Sequence, residues 1–217
     1  MVAVARRTQS SRSAATRARL LEAALECLVE GGYGRLSTVD ICKRAGVSRG
    51  AQLHHYPTKA ELVAAAVEHV FVQRHAEFRG LLGEHSADRD GPGSPALSAD
   101  SAFAALWEIY SGPTLYAWLE LIVAARTDPD LKPLVAAVNE RFFAEARATL
   151  CHFLGIDPTD DDPRIAAATR LVLSVFDGLA MNHILEGDRD RVMAVLTNLQ
   201  PLLVGWSREL GTSNGRE

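Results

Sequence analysis

The sequence predicts an all-α protein with a small three-helix head and a larger helical body. Three observations carry that expectation. Almost every long segment spaces its apolar residues at helical intervals, and no stretch sustains the alternation of a half-buried strand. Three short segments near the start each carry their own start and stop signals. Charge also divides along the chain. Residues 1–57 hold nine Arg and Lys against Glu22, Glu26, Glu30 and Asp40, a balance of +5, whereas the rest hold 14 basic and 23 acidic residues, a balance of -9. A basic head on an acidic body suggests that only the head meets a polyanion.

The elements follow in order. Leu20, Ala24, Cys27, Leu28 and Gly31 form one stripe of a first helix, stopped by Gly31 and Gly32. Ser37 with Asp40 resembles a capping box and opens a short helix that Gly46 ends after Ala45. Ser48 caps a third, which Pro57 stops because the residue before proline avoids helical geometry. Thr58 with Glu61 opens a long helix to about Leu82, and the Gly, Pro, Ser and Asp of residues 84–101 read as a mobile loop. Helices are expected at roughly 101–111, 113–127, 129–154, 163–186 and 188–210. Asp128-Pro129 and Asp162-Pro163 each place a capping side chain before a proline whose missing N–H costs nothing at that position. Pro201 is expected to kink the last helix.

Two short helices joined by Ala45-Gly46-Val47-Ser48 have the proportions of a helix-turn-helix, with Gly46 giving the sharp turn and Val47 a core contact. The markers around them are Ala23-Ala24, Gly32-Tyr33, Ser37, Ile41, Gly50, Tyr56 and Lys59. On these residues the segment 19–62, about a fifth of the chain, resembles the DNA-binding head of the tetracycline-repressor-like (TetR/AcrR) family. The resemblance implies an N-terminal helix-turn-helix domain followed by a helical ligand-binding and dimerisation domain. It divides the chain into a basic arm at 1–14, a DNA-binding domain at 15–64 and an effector-binding and dimerisation domain at 65–217. The implied function is a ligand-responsive repressor that binds a palindromic operator as a homodimer and is released by a small, largely apolar effector.

Residue chemistry gives that implication content. Ser37 and Thr38 present hydroxyls and helix N-terminal amides to a phosphate, and Lys59 approaches one from the start of the fourth helix. Arg49, Gln52, His54 and His55 stand on or beside the recognition helix; Arg can pair with guanine and Gln with adenine. Ser48 and Gly50 complete the expected DNA-contacting set. Arg6, Arg7 and Arg12 follow the DNA backbone, enter a minor groove, or belong to a disordered arm. The chain departs from the family pattern at Ala51, Gln52 and Leu53, where members commonly carry Thr, Leu and Tyr. Either Leu53 fills the core in a slightly turned helix, or Gln52 finds a partner within it.

In the body, Trp107, Tyr110, Tyr116, Trp118, Phe143 and Phe176 supply the aromatic walls of a small-molecule pocket or, taken singly, ordinary core. Glu120, between Leu119 and Leu121, is either paired, with Arg126 a candidate partner, or turned to the cavity. Asn182 and His183 are candidate orienting groups. Leu171, Val175, Leu179, Val192, Val195, Leu196, Leu199 and Leu203 supply the apolar seam that the resemblance assigns to a dimer interface.

Other classes find less support. No nucleophile with its base, phosphate-cradling glycine loop or paired-carboxylate motif stands at diagnostic spacing, so no enzyme and no cofactor are expected. His54-His55 and Cys151-His152 are adjacent pairs pointing about 100° apart on a helix, which disfavours a shared metal. Cys27, Cys42 and Cys151 are expected to be reduced. A cytoplasmic protein without a membrane span is expected. The rivals kept open are a DNA-binding protein without an effector, and an activator.

Overall fold

The computed structural model describes residues 9–87, 99–154 and 156–213, and every regular element among them is an α-helix. Helix α1 (Gln9–Arg35) begins six residues inside the expected arm and buries Leu20, Leu21, Ala24 and Leu28. Its helical geometry breaks at Gly32 (φ 69°, ψ 163°), where the sequence places the stop, and one further turn follows. Cys27 is half-buried, at the edge of the stripe. Arg6 and Arg7 lie outside the described residues.

Helix α2 (Thr38–Ala45) starts at the expected cap, with Ser37 Oγ accepting from Asp40 N–H, and ends at Gly46 (φ 60°, ψ 40°). That left-handed geometry suits glycine and turns the cap N–H back onto the Cys42 and Lys43 carbonyls. Helix α3 (Arg49–His55) is capped by Ser48 and closed by Tyr56, whose N–H returns to Gln52 O. Helix α4 (Lys59–Ala87) opens on a reciprocal box: Thr58 N–H donates to Glu61 Oε2 at 3.0 Å, and Glu61 N–H to Thr58 Oγ1 at 3.1 Å.

Helix α4 runs past Leu82, and α5 (Ala99–Tyr110) starts at 99, so the expected loop is corrected at both ends. Its remainder, 88–98, lies outside the described residues. Glu84, His85, Ser86 and Ala87 continue α4 because nothing in them breaks a helix already nucleated. Helix α6 (Pro113–Ala125) follows Gly112 (φ 77°). Asp128 Oδ1 accepts from Asp130 and Leu131 N–H at 3.0 Å, so it caps α7 (Leu131–Leu154) two residues later than its proline suggests. Asp162 caps α8 (Pro163–Glu186), with proline in its first turn, and α9 (Arg189–Ser213) contains Pro201 without interruption of the helix.

Packing divides the chain into two compact units: residues 1–70 with 116–138, and 71–115 with 139–217. In the first, Leu20, Leu28, Ile41, Leu62, Val63 and Leu121 form a sealed core. In the second, Phe71, Trp107, Ile165, Phe176 and Leu196 are buried. Residues 116–138 thus pack with the head.

Candidate nucleic-acid interface

The head is built around the turn between α2 and α3. Its closure uses a side chain from α1: Arg19 Nη1 donates to the carbonyls of Ala45 at 3.3 Å and Gly46 at 3.4 Å, satisfying acceptors that the end of α2 leaves free. Arg44 ties α2 to α1 through Glu30, in two hydrogen bonds, and Glu26. The Arg44 hydrogen bonds hold the Glu30 carboxyl below its ordinary range. Neither Arg19 nor Arg44 stands out in the sequence, because each is one exposed-looking arginine among many.

On this scaffold α3 presents Arg49, Gly50, Leu53 and His54 to solvent. Arg49 donates to Thr38 Oγ1, so the first residues of the two helices meet. Ser37 is occupied as a cap: its hydroxyl accepts from Asp40 N–H at 3.1 Å and donates to Asp40 Oδ2 at 2.5 Å. A Cβ added at Gly50 meets no atom within 4 Å, so the backbone there is bare toward solvent. His54 and His55 place their ring centroids 5.3 Å apart, and desolvation, with the charges of His54 and Arg17, lowers the pKa of His55.

Gln52 corrects one expectation. It is fully buried, its Nε2 donates to Tyr56 O, and its Oε1 finds no partner among the described residues. The side chain therefore closes the recognition helix from inside and is withdrawn from any base. Leu53, 44% exposed, faces out instead. Leu53 is outside the expected DNA-contacting set, although a buried residue at 52 turns 53 about 100° away.

Lys59, at the start of α4, is half-buried. Its Nζ donates to Tyr33 O at 3.0 Å and stands 3.9 Å from the Tyr33 ring centroid. The Tyr33 hydroxyl in turn donates to Asp128 Oδ2 at 3.0 Å. Burial and then Asp128 push the Tyr33 phenol well above its ordinary pKa, and the Leu131 N–H leads the causes that lower Asp128. Glu120 Oε2 accepts from Tyr33 N–H at 3.4 Å, within the same unit, so the carboxylate is paired with a backbone group of the head.

The other ligand candidates separate by unit. Tyr116, half-buried, and Trp118, 4% exposed, belong with the head. In the second unit Trp107 packs with Phe176 (6.1 Å) and meets His183 edge-on (5.7 Å), while Phe103 lies 6.4 Å from Phe176. The buried Nδ1 of His183 has no partner among the described residues. Phe143 lies under Arg170 at 4.3 Å, and Asn182 is exposed. Tyr110 ends α5, with its side chain outside the described set. The sequence missed His75, a nearly buried residue whose Nε2 is 2.9 Å from Thr149 Oγ1 and 3.4 Å from Glu145 Oε2. A single histidine on a long helix carries no signal of such partners. No group of three His, Cys, Asp or Glu among the described residues is placed to hold a metal.

A capped two-helix turn with a solvent-facing second helix, in an all-helical chain, defines a helix-turn-helix transcriptional regulator. The pattern of the bacterial regulatory proteins of the tetR family matches residues 20–66, and that of the C-terminal part of BetI-type transcriptional repressors matches 112–199. An HTH-type transcriptional regulator of Mycobacterium tuberculosis H37Rv is 37% identical over 177 residues, 81% of this chain and 86% of its own. Among solved structures, a transcriptional regulator from Pseudomonas aeruginosa PAO1 is similar with a TM-score of 0.61 at 25% identity, covering 94% of this chain and 96% of its own. FadR from Bacillus subtilis, solved with stearoyl-CoA, shares the fold at a TM-score of 0.60 and 15% identity, over 86% and 97% of the two chains. The chain belongs to the TetR family of transcriptional regulators.

Proposed function

We propose that this regulator is a repressor that binds a palindromic operator as a homodimer and releases it when a small, largely apolar molecule binds. The observation that carries the reading is the division of α3. Gln52 and Tyr56 are buried against the head, while Arg49, Leu53 and His54 face outward around the bare backbone of Gly50. Arg49 supplies a bidentate donor for guanine and Leu53 an apolar contact for a thymine methyl. Lys59 and Thr38 anchor phosphates without reading sequence. Residues 15–64 are the DNA-binding domain in this reading, and 65–217 carry effector binding and dimerisation.

Two features support the remaining parts. Helices α8 and α9 leave apolar side chains exposed, among them Leu171, Met181, Ile184, Val195 and Leu202, with Leu185 at 85%. A second copy of the chain would cover them. Helix α8 also has the length and apolar composition of a membrane span, but Arg164, Arg170, Asp177, Asn182 and His183 along it suit a protein interface better. The Trp107, Phe176 and His183 group offers an aromatic wall with one nitrogen unpartnered among the described residues, suited to an apolar ligand carrying a single hydrogen-bonding group. Acting on DNA places the protein in the cytoplasm.

The test is selection of duplexes from a random pool by the purified protein, followed by fluorescence anisotropy. A repeated, inverted half-site bound at least a thousandfold more tightly than random duplex is expected at physiological salt. No enrichment would sink the reading. Arg49→Ala should relax specificity, and Lys59→Ala should weaken all duplexes alike.

A further inference from the structure

We infer that Tyr33 and Asp128 form a latch through which the corner between α6 and α7 sets the position of Lys59 toward DNA. The inference rests on the DNA-binding reading above and concerns how that surface is controlled. Three segments converge on one residue of a fourth. Tyr33 ends α1, Lys59 begins α4, Glu120 lies on α6, and Asp128 caps α7. All four belong to the same packing unit.

Each contact leaves the next group little freedom. Asp128 uses its two oxygens separately: Oδ1 accepts from Asp130 and Leu131 N–H, and Oδ2 from the Tyr33 hydroxyl. The start of α7 therefore moves only with the phenol or at the loss of its bond. Glu120 holds the other end of the same residue, where Oε2 accepts from Tyr33 N–H. The preceding Gly32 has φ 69°, and a Cβ there would stand 2.9 Å from Glu120 Oε2, so this backbone approaches the carboxylate as only glycine allows. The carbonyl and ring of Tyr33 then hold Lys59 Nζ. One of the ammonium's three N–H groups is used at Tyr33 O, which leaves donors for a phosphate on a side chain whose direction is already fixed. Asp128 and Glu120 are positioning residues in this arrangement, acting on DNA through Lys59. Helices α6 and α7 both continue in the chain into residues of the second packing unit, which gives a movement there a covalent route to the latch.

Asp128→Asn weakens the latch while sparing the α7 cap, because the amide oxygen can stay on the cap while its NH2 replaces the charge-assisted bond to the phenol with a weaker neutral one that the phenol oxygen accepts. Tyr33→Phe breaks it from the other side and keeps both the ring and the carbonyl beneath Lys59. The probe is the best duplex selected from the random pool. Each variant is expected to bind it about fivefold more weakly than the wild type, the double variant no more weakly than either single one. In a Lys59→Ala background, which should itself lower the salt slope by about 0.9, Asp128→Asn is expected to have no further effect. Wild-type affinity in both single variants overturns the latch and leaves the DNA-binding reading standing. An effect of Asp128→Asn that persists undiminished without Lys59 overturns it too, since the residue would then act through general stability. If the wild type selects no duplex, the DNA-binding reading fails and the latch with it.

Discussion

Replacing Gly32 by alanine tests the geometry on which the head depends. With φ 69° and ψ 163°, Gly32 occupies a backbone region essentially reserved for glycine, and forcing a Cβ into it costs ~1–3 kcal/mol. A second contribution comes from Glu120, whose Oε2 would lie 2.9 Å from the new atom. The carboxylate sits on a flexible side chain and can turn away, giving up its 3.4 Å bond from Tyr33 N–H, a loss of at most ~1 kcal/mol. The sum, ~1–4 kcal/mol, corresponds to a fall in Tm of roughly 2–16 °C for a chain of this size. Thermal unfolding followed by circular dichroism measures it. Gly34→Ala is the control: that residue has no positive φ and no neighbour within 4 Å of an added Cβ, so its substitution should stabilise by ~0.4–1 kcal/mol. Adding Glu120→Ala to Gly32→Ala should recover little, because the bond from Tyr33 N–H is lost in either case and the cost of the backbone region remains. A Gly32→Ala protein that melts with the wild type would refute the reasoning, and so would full recovery in the double variant.

Other substitutions probe other parts. Gln52→Leu removes a buried carbonyl oxygen without a partner among the described residues but also the Nε2 bond to Tyr56 O, so the two effects oppose and the urea midpoint should shift by the equivalent of no more than ~1 kcal/mol, with the ranking of preferred duplexes unchanged. A changed ranking would show that Gln52 reaches DNA. His75 has its pKa lowered below 6.5, chiefly by burial and then by Arg79, with Glu145 opposing. The folded chain takes up this proton less readily than the unfolded one, so the contribution is complete above about pH 6.5 and is lost as the pH falls below it. Between about pH 7.5 and pH 5 the wild type should lose more stability than His75→Leu; equal losses in urea titrations would contradict this. Leu185→Asp together with Met181→Asp should turn a dimer into a monomer in sedimentation at micromolar concentration, and a wild type that is already monomeric would remove the proposed interface.

Much of the head was legible because its signals are local. Ser37, Gly46, Ser48 and Thr58 act within four residues of themselves, and each cap appears where the sequence puts it. The same holds for Asp162, with its proline in the first turn of α8. Contacts across the sequence were not legible. Tyr33 meets Asp128 across 95 positions and Arg19 meets Ala45 across 26, and no periodicity marks such partners. Glu120 shows the limit most clearly: its setting among apolar neighbours suggests a paired or cavity-facing carboxylate, but its acceptor role toward a backbone N–H 87 positions away exists only in the fold. Gln52 was ambiguous because burying an amide and burying Leu53 fit the same helix turned by one residue. Its bond to Tyr56 O decides the matter locally.

The open space at Gly50 bears on how such a regulator changes its target. The second residue of α3 is exposed, has an ordinary backbone and meets nothing within 4 Å where a side chain would begin. Any residue placed there projects outward without disturbing the amide of Gln52 or the cap at Ser48. A single codon change can therefore add a new base contact, or an obstruction to an old site, while the fold stays the same. The recognition helix carries, one residue after Arg49, an open position at which a new side chain would enlarge its outward face without repacking the head.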